Sequence, residues 1–221
     1  MKKFLTALLM AAMLLTSSIA LAAYEENVTE GVDLMTVRRI AVAFPNYYKV
    51  EETEPAIDEL MQNIYEAGKE NSTREIISYA EIASAIRRDT GIDIYKLDVV
   101  EAEKVFNANV SKYADSYLVA TIANNSIKPW IYYYIYNAAD QKLIYTYSIQ
   151  SRVIDKNTKD YRKSAVNFYK QFENTAAKNL SKEEKKKLEE KRKELRANRN
   201  KIDSVTHEKT GKNKADLVKK K

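Results

Sequence analysis

The 221-residue chain contains no cysteine, one histidine, four glycines and three prolines. Without thiols it forms no disulfide, so a fold destined for an oxidising compartment must rest on burial and hydrogen bonding alone. The same absence removes thiol catalysis, a zinc site of nitrogen and sulfur ligands, and the cysteine that a lipid anchor needs. His207 lies in the charged tail, which excludes a Ser-His-Asp triad within the folded part. Gly31, Gly68, Gly91 and Gly211 stand far apart, so no clustered-glycine loop can bring backbone amides against a phosphate. Carboxylates, lysines and tyrosines remain as the available chemistry. No cofactor and no metal ion is expected.

What is present begins with the first twenty-two residues. Lys2 and Lys3 precede an apolar run, Phe4 to Leu15, that only Thr6 interrupts. Small residues follow at Ala20-Leu21-Ala22, completing the pattern of a secretory signal with cleavage expected near Ala22. About a dozen apolar residues are too few to cross a bilayer of roughly 30 Å as a helix. The expectation is an exported protein, periplasmic or extracellular, with no transmembrane segment after cleavage. The net charge of +6 divides unevenly. Residues 181–221 hold sixteen basic and eight acidic side chains, whereas residues 24–180 hold nineteen basic and twenty-three acidic ones. A nucleic-acid-binding domain carries positive charge on its folded face, so no nucleic-acid partner is expected.

The pattern divides the chain into a signal peptide (1–22), a polar lead-in (23–36), an α/β domain (37–178) and a Lys/Glu-rich tail, helical to disordered (179–221). Ile40 to Phe44 is a short apolar run of the kind found in a strand covered on both faces. Thr53-Glu54-Pro55 supplies a helix start and Gly68 a stop. Further strands are predicted over 75–79, 117–123, 130–136 and 143–150. Helices are predicted over 80–89, from Asp98 onward, and over 160–177 with Tyr161, Ala165, Phe168, Tyr169 and Phe172 inward. Gly91 closes the first of these, which makes Asp89-Thr90-Gly91-Ile92-Asp93 a helix stop with an acidic turn rather than a calcium loop. Early strands separated by helices imply parallel crossovers, and the late hairpin adds antiparallel pairing. The fold class is therefore α/β (α+β): a single mixed β-sheet of about five strands packed with helices, plus a charged C-terminal helix.

The opening RRIAVAFPNYY, the helix EPAIDELMQNI, the strand REIISYAEI and the closing hairpin resemble the N-terminal domain of TolB. The same layout is that of the curli-secretion lipoproteins and of the lipoproteins that activate peptidoglycan synthases. The resemblance covers residues 37–175 and implies an α/β domain that works in the cell envelope by binding other proteins. It carries over no catalytic residue.

Two features are candidates for function. A tight turn centred on Ala138-Ala139 would set Trp130 opposite Tyr147, Tyr132 opposite Tyr145, and Tyr134 opposite Leu143. Trp130, Tyr132, Tyr134, Tyr145 and Tyr147 would then share one sheet face, either as core pairs or as an aromatic platform for a partner. In the tail, Ser181 and Glu184 have the spacing of a capping box. Lys185, Lys186, Lys187, Lys191, Arg192, Lys193, Arg196 and Arg199 follow, a basic run suited to weak electrostatic attachment. The function expected is that of an exported, non-enzymatic binding or scaffold protein, with an envelope protein or anionic envelope polymer as partner. The alternatives are an envelope hydrolase with a carboxylate pair, and an adaptor whose tail helix folds on a partner. Glu101 and Glu103, two apart on a helix, face different ways and do not make such a pair.

Overall fold

The computed structural model describes residues 24–123, 129–150, 158–191, 193, 194 and 197. The signal lies outside the described residues. Six strands are formed: β1 (Tyr24–Val28), β2 (Arg39–Val42), β3 (Glu75–Ile77), β4 (Ser116–Ala123), β5 (Trp130–Asn137) and β6 (Leu143–Gln150). Among the described residues four helices accompany them before the tail, α1 (Ile57–Asn71), α2 (Tyr79–Thr90), α3 (Val99–Asn109) and α4 (Thr158–Ala176), and a fifth spans residues 182–191. The strands make one mixed sheet in the order β1-β6-β5-β4-β2-β3. β2 runs parallel to β3 and β4, and the remaining pairs are antiparallel.

The sheet has one strand more than the sequence predicts, and β1 is the addition. Tyr24–Val28 lies inside the predicted lead-in and pairs with β6 from Tyr24↔Ile149 to Val28↔Tyr145. Tyr24, Glu25, Glu26 and Asn27 are exposed, so this edge strand never needed the apolar alternation that marks a half-buried one.

Helices cover the two faces unequally. On the first face, α1 and α4 enclose a core that includes Ile40, Val42, Leu118, Ile131, Tyr133 and Ile135. Tyr161, Ala165, Phe168, Tyr169 and Phe172 all point into it, and none exceeds 2% exposure. On the second face, α2 and α3 pack Ile82, Ile86 and Phe106 over Ala41, Ala43 and Tyr117. Trp130, Tyr132 and Tyr134 of β5 belong to neither core and are half-buried.

Several local starts and stops follow the sequence. Gly91 ends α2 in the left-handed conformation at φ 76°, but the predicted strand over 75–79 stops at Ile77, because Ser78 caps α2 through a full capping box with Glu81 and Tyr79 opens the helix. Asp98 caps α3 by accepting from the Glu101 amide at 2.9 Å. The start of α1 differs: its N-cap is Ala56, without a side-chain bond, and the Glu54 carboxylate instead accepts from the Val50 amide at 2.8 Å. Gly68 is not the predicted stop either, because α1 continues to Asn71. Its function is close approach. A Cβ at position 68 would stand 2.5 Å from Cζ of Tyr169 on α4. Gly68→Ala is therefore expected to push α1 and α4 apart and cost about 1–3 kcal/mol, as overpacked cores do. A urea titration that left the midpoint unchanged would show that the ring can move aside.

Candidate functional site

The sheet changes the side of its crossovers at β2. The chain leaves β2 through α1 on the first face, and leaves β3 through α2 and α3 on the second. Diverging connections open a crevice outside the carboxyl ends of the strands, where ligands of open α/β sheets bind. A cleft of about 390 Å³ reaches from there over the second face, between the sheet and α3. Ala43, Phe44 and Asn46 enter it just beyond β2, and Tyr79 just beyond β3.

Aromatic rings from separate elements wall the cleft in sequence. Tyr95 meets Tyr79 edge-on, with centroids 5.7 Å apart and planes at 82°. Tyr79 stacks on Phe106 at 5.7 Å, and Phe106 meets Tyr117 at 5.9 Å and 77°. Tyr117 stacks on Tyr136 at 5.2 Å, and Phe44 closes on Tyr79 at 5.8 Å. Parallel and perpendicular contacts therefore alternate along the row. Burial pushes the Tyr79 phenol up to about 12. Burial also raises Tyr117 and Tyr136, with the charge of Glu103 adding to both. These hydroxyls keep their protons at neutral pH.

Among the described lining residues Glu103 is the one carboxylate, beside the amides Asn46 and Asn107, and no lysine or arginine is present. An acid pair for glycoside hydrolysis requires two carboxyl groups at a fixed separation. Of the lining residues Tyr95 and Val99 are about 60% exposed, as is the adjacent Val100, and Ile92 lies near them in sequence at 39%. Clustered exposed apolar side chains mark an interaction site more than scattered ones do.

The structure divides the predicted aromatic platform. β5 and β6 pair Trp130 with Gln150, Tyr132 with Ser148, and Tyr134 with Thr146. This is three residues away from the predicted register, and an odd offset turns every side chain of one strand to the other face. The cause is the connection. Asn137 closes a wider turn by donating its N–H to the Lys142 carbonyl at 2.9 Å, and its side chain accepts from the Ala139 amide at 2.8 Å. Gln141 takes a positive φ of 57°, and a bulge at Ile135/Tyr136 absorbs a further residue. Tyr145 and Tyr147 consequently point into the first-face core against Phe168. Trp130, Tyr132 and Tyr134 stay together on the second face at spacings of 6.0 and 6.1 Å. Tyr134 then reaches Tyr136 at 6.4 Å, which continues the stripe into the cleft.

In the tail, residues 182–191 are helical, and the Ser181 amide donates to the Glu184 carboxylate at 2.8 Å, as the capping box predicts. Lys185, Lys186, Lys187, Lys191 and Lys193 are exposed. Arg192, Arg196 and Arg199 lie outside the described residues. Among the described residues no helix is long and apolar enough to cross a membrane, and no acidic cluster has the makings of a metal site. In the acidic turn, Asp89 accepts from the Tyr113 hydroxyl at 2.7 Å and from Arg88 at 2.8 Å.

No family model and no curated protein matches this chain. Solved structures resemble it at low identity. PelC from Paraburkholderia phytofirmans, a dodecamer, is 9% identical with a TM-score of 0.41, the match covering 69% of this chain and 98% of that one. The LpoB C-terminal domain from Salmonella enterica is 15% identical with a TM-score of 0.40, over 56% of this chain and 87% of that one. Lipoprotein GNA1162 from Neisseria meningitidis is 15% identical with a TM-score of 0.37, over 65% and 99%. At these values none of them transfers a function.

The sequence reading missed the cleft because its rings lie between positions 44 and 136 and meet only in the folded sheet. One signal was legible. Val99 and Val100 open α3 as adjacent apolar residues, which a helix with a single buried face cannot both hide.

Proposed function

We propose that this chain is an exported, non-enzymatic binding protein of the cell envelope. Its ligand occupies the aromatic cleft at the carboxyl end of β2, and the Trp130–Tyr132–Tyr134 stripe extends the contact surface. The observation that carries this reading is an open, ring-lined cavity of about 390 Å³ with a single carboxylate among its described lining residues and exposed apolar side chains at Tyr95 and Val99. Ligand sites are largely apolar hollows of this size with a few placed polar groups. The division into an α/β domain and a basic tail belongs to the same proposal. A tail with a net charge of +8 over residues 181–221 suits weak, salt-sensitive attachment to an anionic envelope polymer.

A photo-crosslinking residue at position 95, on the rim, is expected to form an adduct in intact cells. The same group at Lys163, exposed on α4, serves as the comparison and is expected to form none. Equal labelling at both positions, or none at position 95, overturns the cleft as a binding site. Truncation after Leu180 is expected to lower retention on envelope fragments at low salt and to make little difference at high salt.

A further inference from the structure

We infer that the group seated in this cleft is a methylated ammonium, the head of a choline-like ligand. The inference rests on the reading of the cleft as a binding site and adds the chemistry that the site selects. Cations with little hydration shell are attracted to aromatic rings. The lining is rich in such rings, packed in contact with one another. Tyr95 stands at 82° to Tyr79, Phe106 lies parallel to Tyr79, and Tyr117 stands at 77° to Phe106. An uncharged apolar ligand would be served equally well by aliphatic walls, yet six of the lining residues are aromatic.

Charge points the same way. Glu103 lines the cleft and makes no hydrogen bond or ion pair among the described residues. Its charge is felt at Tyr117 and Tyr136 on the opposite wall. The neighbouring Asp93 is already engaged, paired with Arg87 at 3.5 Å. Among the described residues, a lining with one exposed carboxylate and no basic side chain disfavours anions and favours a monocation. The rings would surround the methyl groups while Glu103 neutralises the charge.

Titration calorimetry on the leaderless chain tests this with choline and with 3,3-dimethylbutan-1-ol, which has the same shape without the charge. Choline is expected to bind saturably and at least tenfold more tightly than the alcohol. Glu103→Gln and Tyr95→Ala both alter exposed side chains and should leave the fold intact, as circular dichroism will verify. Each is expected to weaken choline roughly tenfold, the scale of one desolvated cation–π or ionic contact. Equal affinity for the alcohol, or no saturable choline binding, overturns the inference. Retention on phosphatidylcholine vesicles, competed by free choline, would assign the group to a lipid head; choline binding without vesicle retention would assign it to a soluble ligand. Loss of choline binding while the position-95 adduct persists would remove the cation assignment and leave the binding function standing.

Discussion

Replacing Arg74 with alanine is expected to destabilise the fold by roughly 3–5 kcal/mol, the usual cost of leaving one member of a buried ion pair without its partner. Arg74 and Glu173 meet at 2.8 Å with side-chain exposures of 5% and 1%. The guanidinium also donates to the carbonyls of Val37 and Leu34, and lies over the Phe172 ring at 5.6 Å. Glu173 accepts in addition from the Ser72 hydroxyl at 2.7 Å and the Thr73 amide at 2.8 Å. One side chain thus ties the segment before β2, the entry to β3 and the end of α4 into a single unit. The double variant Arg74→Met/Glu173→Leu removes both charges and is expected to recover much of the loss, because no ion is left buried without compensation. Urea titrations of Arg74→Met, Glu173→Leu and the double variant provide the measurement. Costs that simply add would show that the two groups act independently.

Raising the pH above 10 is expected to unfold the protein cooperatively. Burial lifts the phenols of Tyr79 and Tyr147 to about 12 and pushes Tyr133, Tyr145 and Tyr169 higher still. A phenol in the unfolded chain ionises near 10. The folded state therefore holds these protons more tightly, so their contribution is intact below pH 10 and is lost as pH climbs towards and past 12. Each such tyrosine removes up to about 1.4 kcal/mol of stability per pH unit across that window. Five acting together would exhaust an ordinary domain's 5–15 kcal/mol within one to two pH units. Tyrosinate absorbance and far-ultraviolet circular dichroism, followed on one sample, are expected to change together. Gradual ionisation with the helix signal intact would show that these hydroxyls reach water in the native state.

Much of the architecture was legible because its elements carry local chemistry. Ile40 to Phe44 is apolar without alternation, as an interior strand covered on both faces requires. The inward row of α4 repeats at helical spacing and lands wholly in the core. Gly91, Asp98 and Ser181 mark helix ends through their own side chains or backbone freedom, and the structure uses all three, whereas Ser78, read as part of a strand, caps α2. Strand β1 escaped because an exposed edge strand imposes no pattern on its residues. Gly68 was misread because a glycine that ends a helix and one that admits a neighbouring ring look alike in one dimension.

The hairpin separates what each level of description decided. The composition of β5 and β6 made them aromatic strands joined by a turn, and local propensity sufficed for that. Which rings share a face depended on the parity of the register. The Asn137 turn and the bulge beside Tyr136 set that parity, and the choice buried Tyr145 and Tyr147 under α4. The sequence by itself determined the compartment expected, the chemistry excluded, and the order of strands and helices from β2 onward. Only the tertiary structure brought Tyr79, Tyr95, Phe106, Tyr117, Tyr136 and Glu103 around one cavity. The physical reason is range: caps and periodicity act within a few residues, whereas a cleft at a crossover reversal exists only after strands distant in the chain have paired.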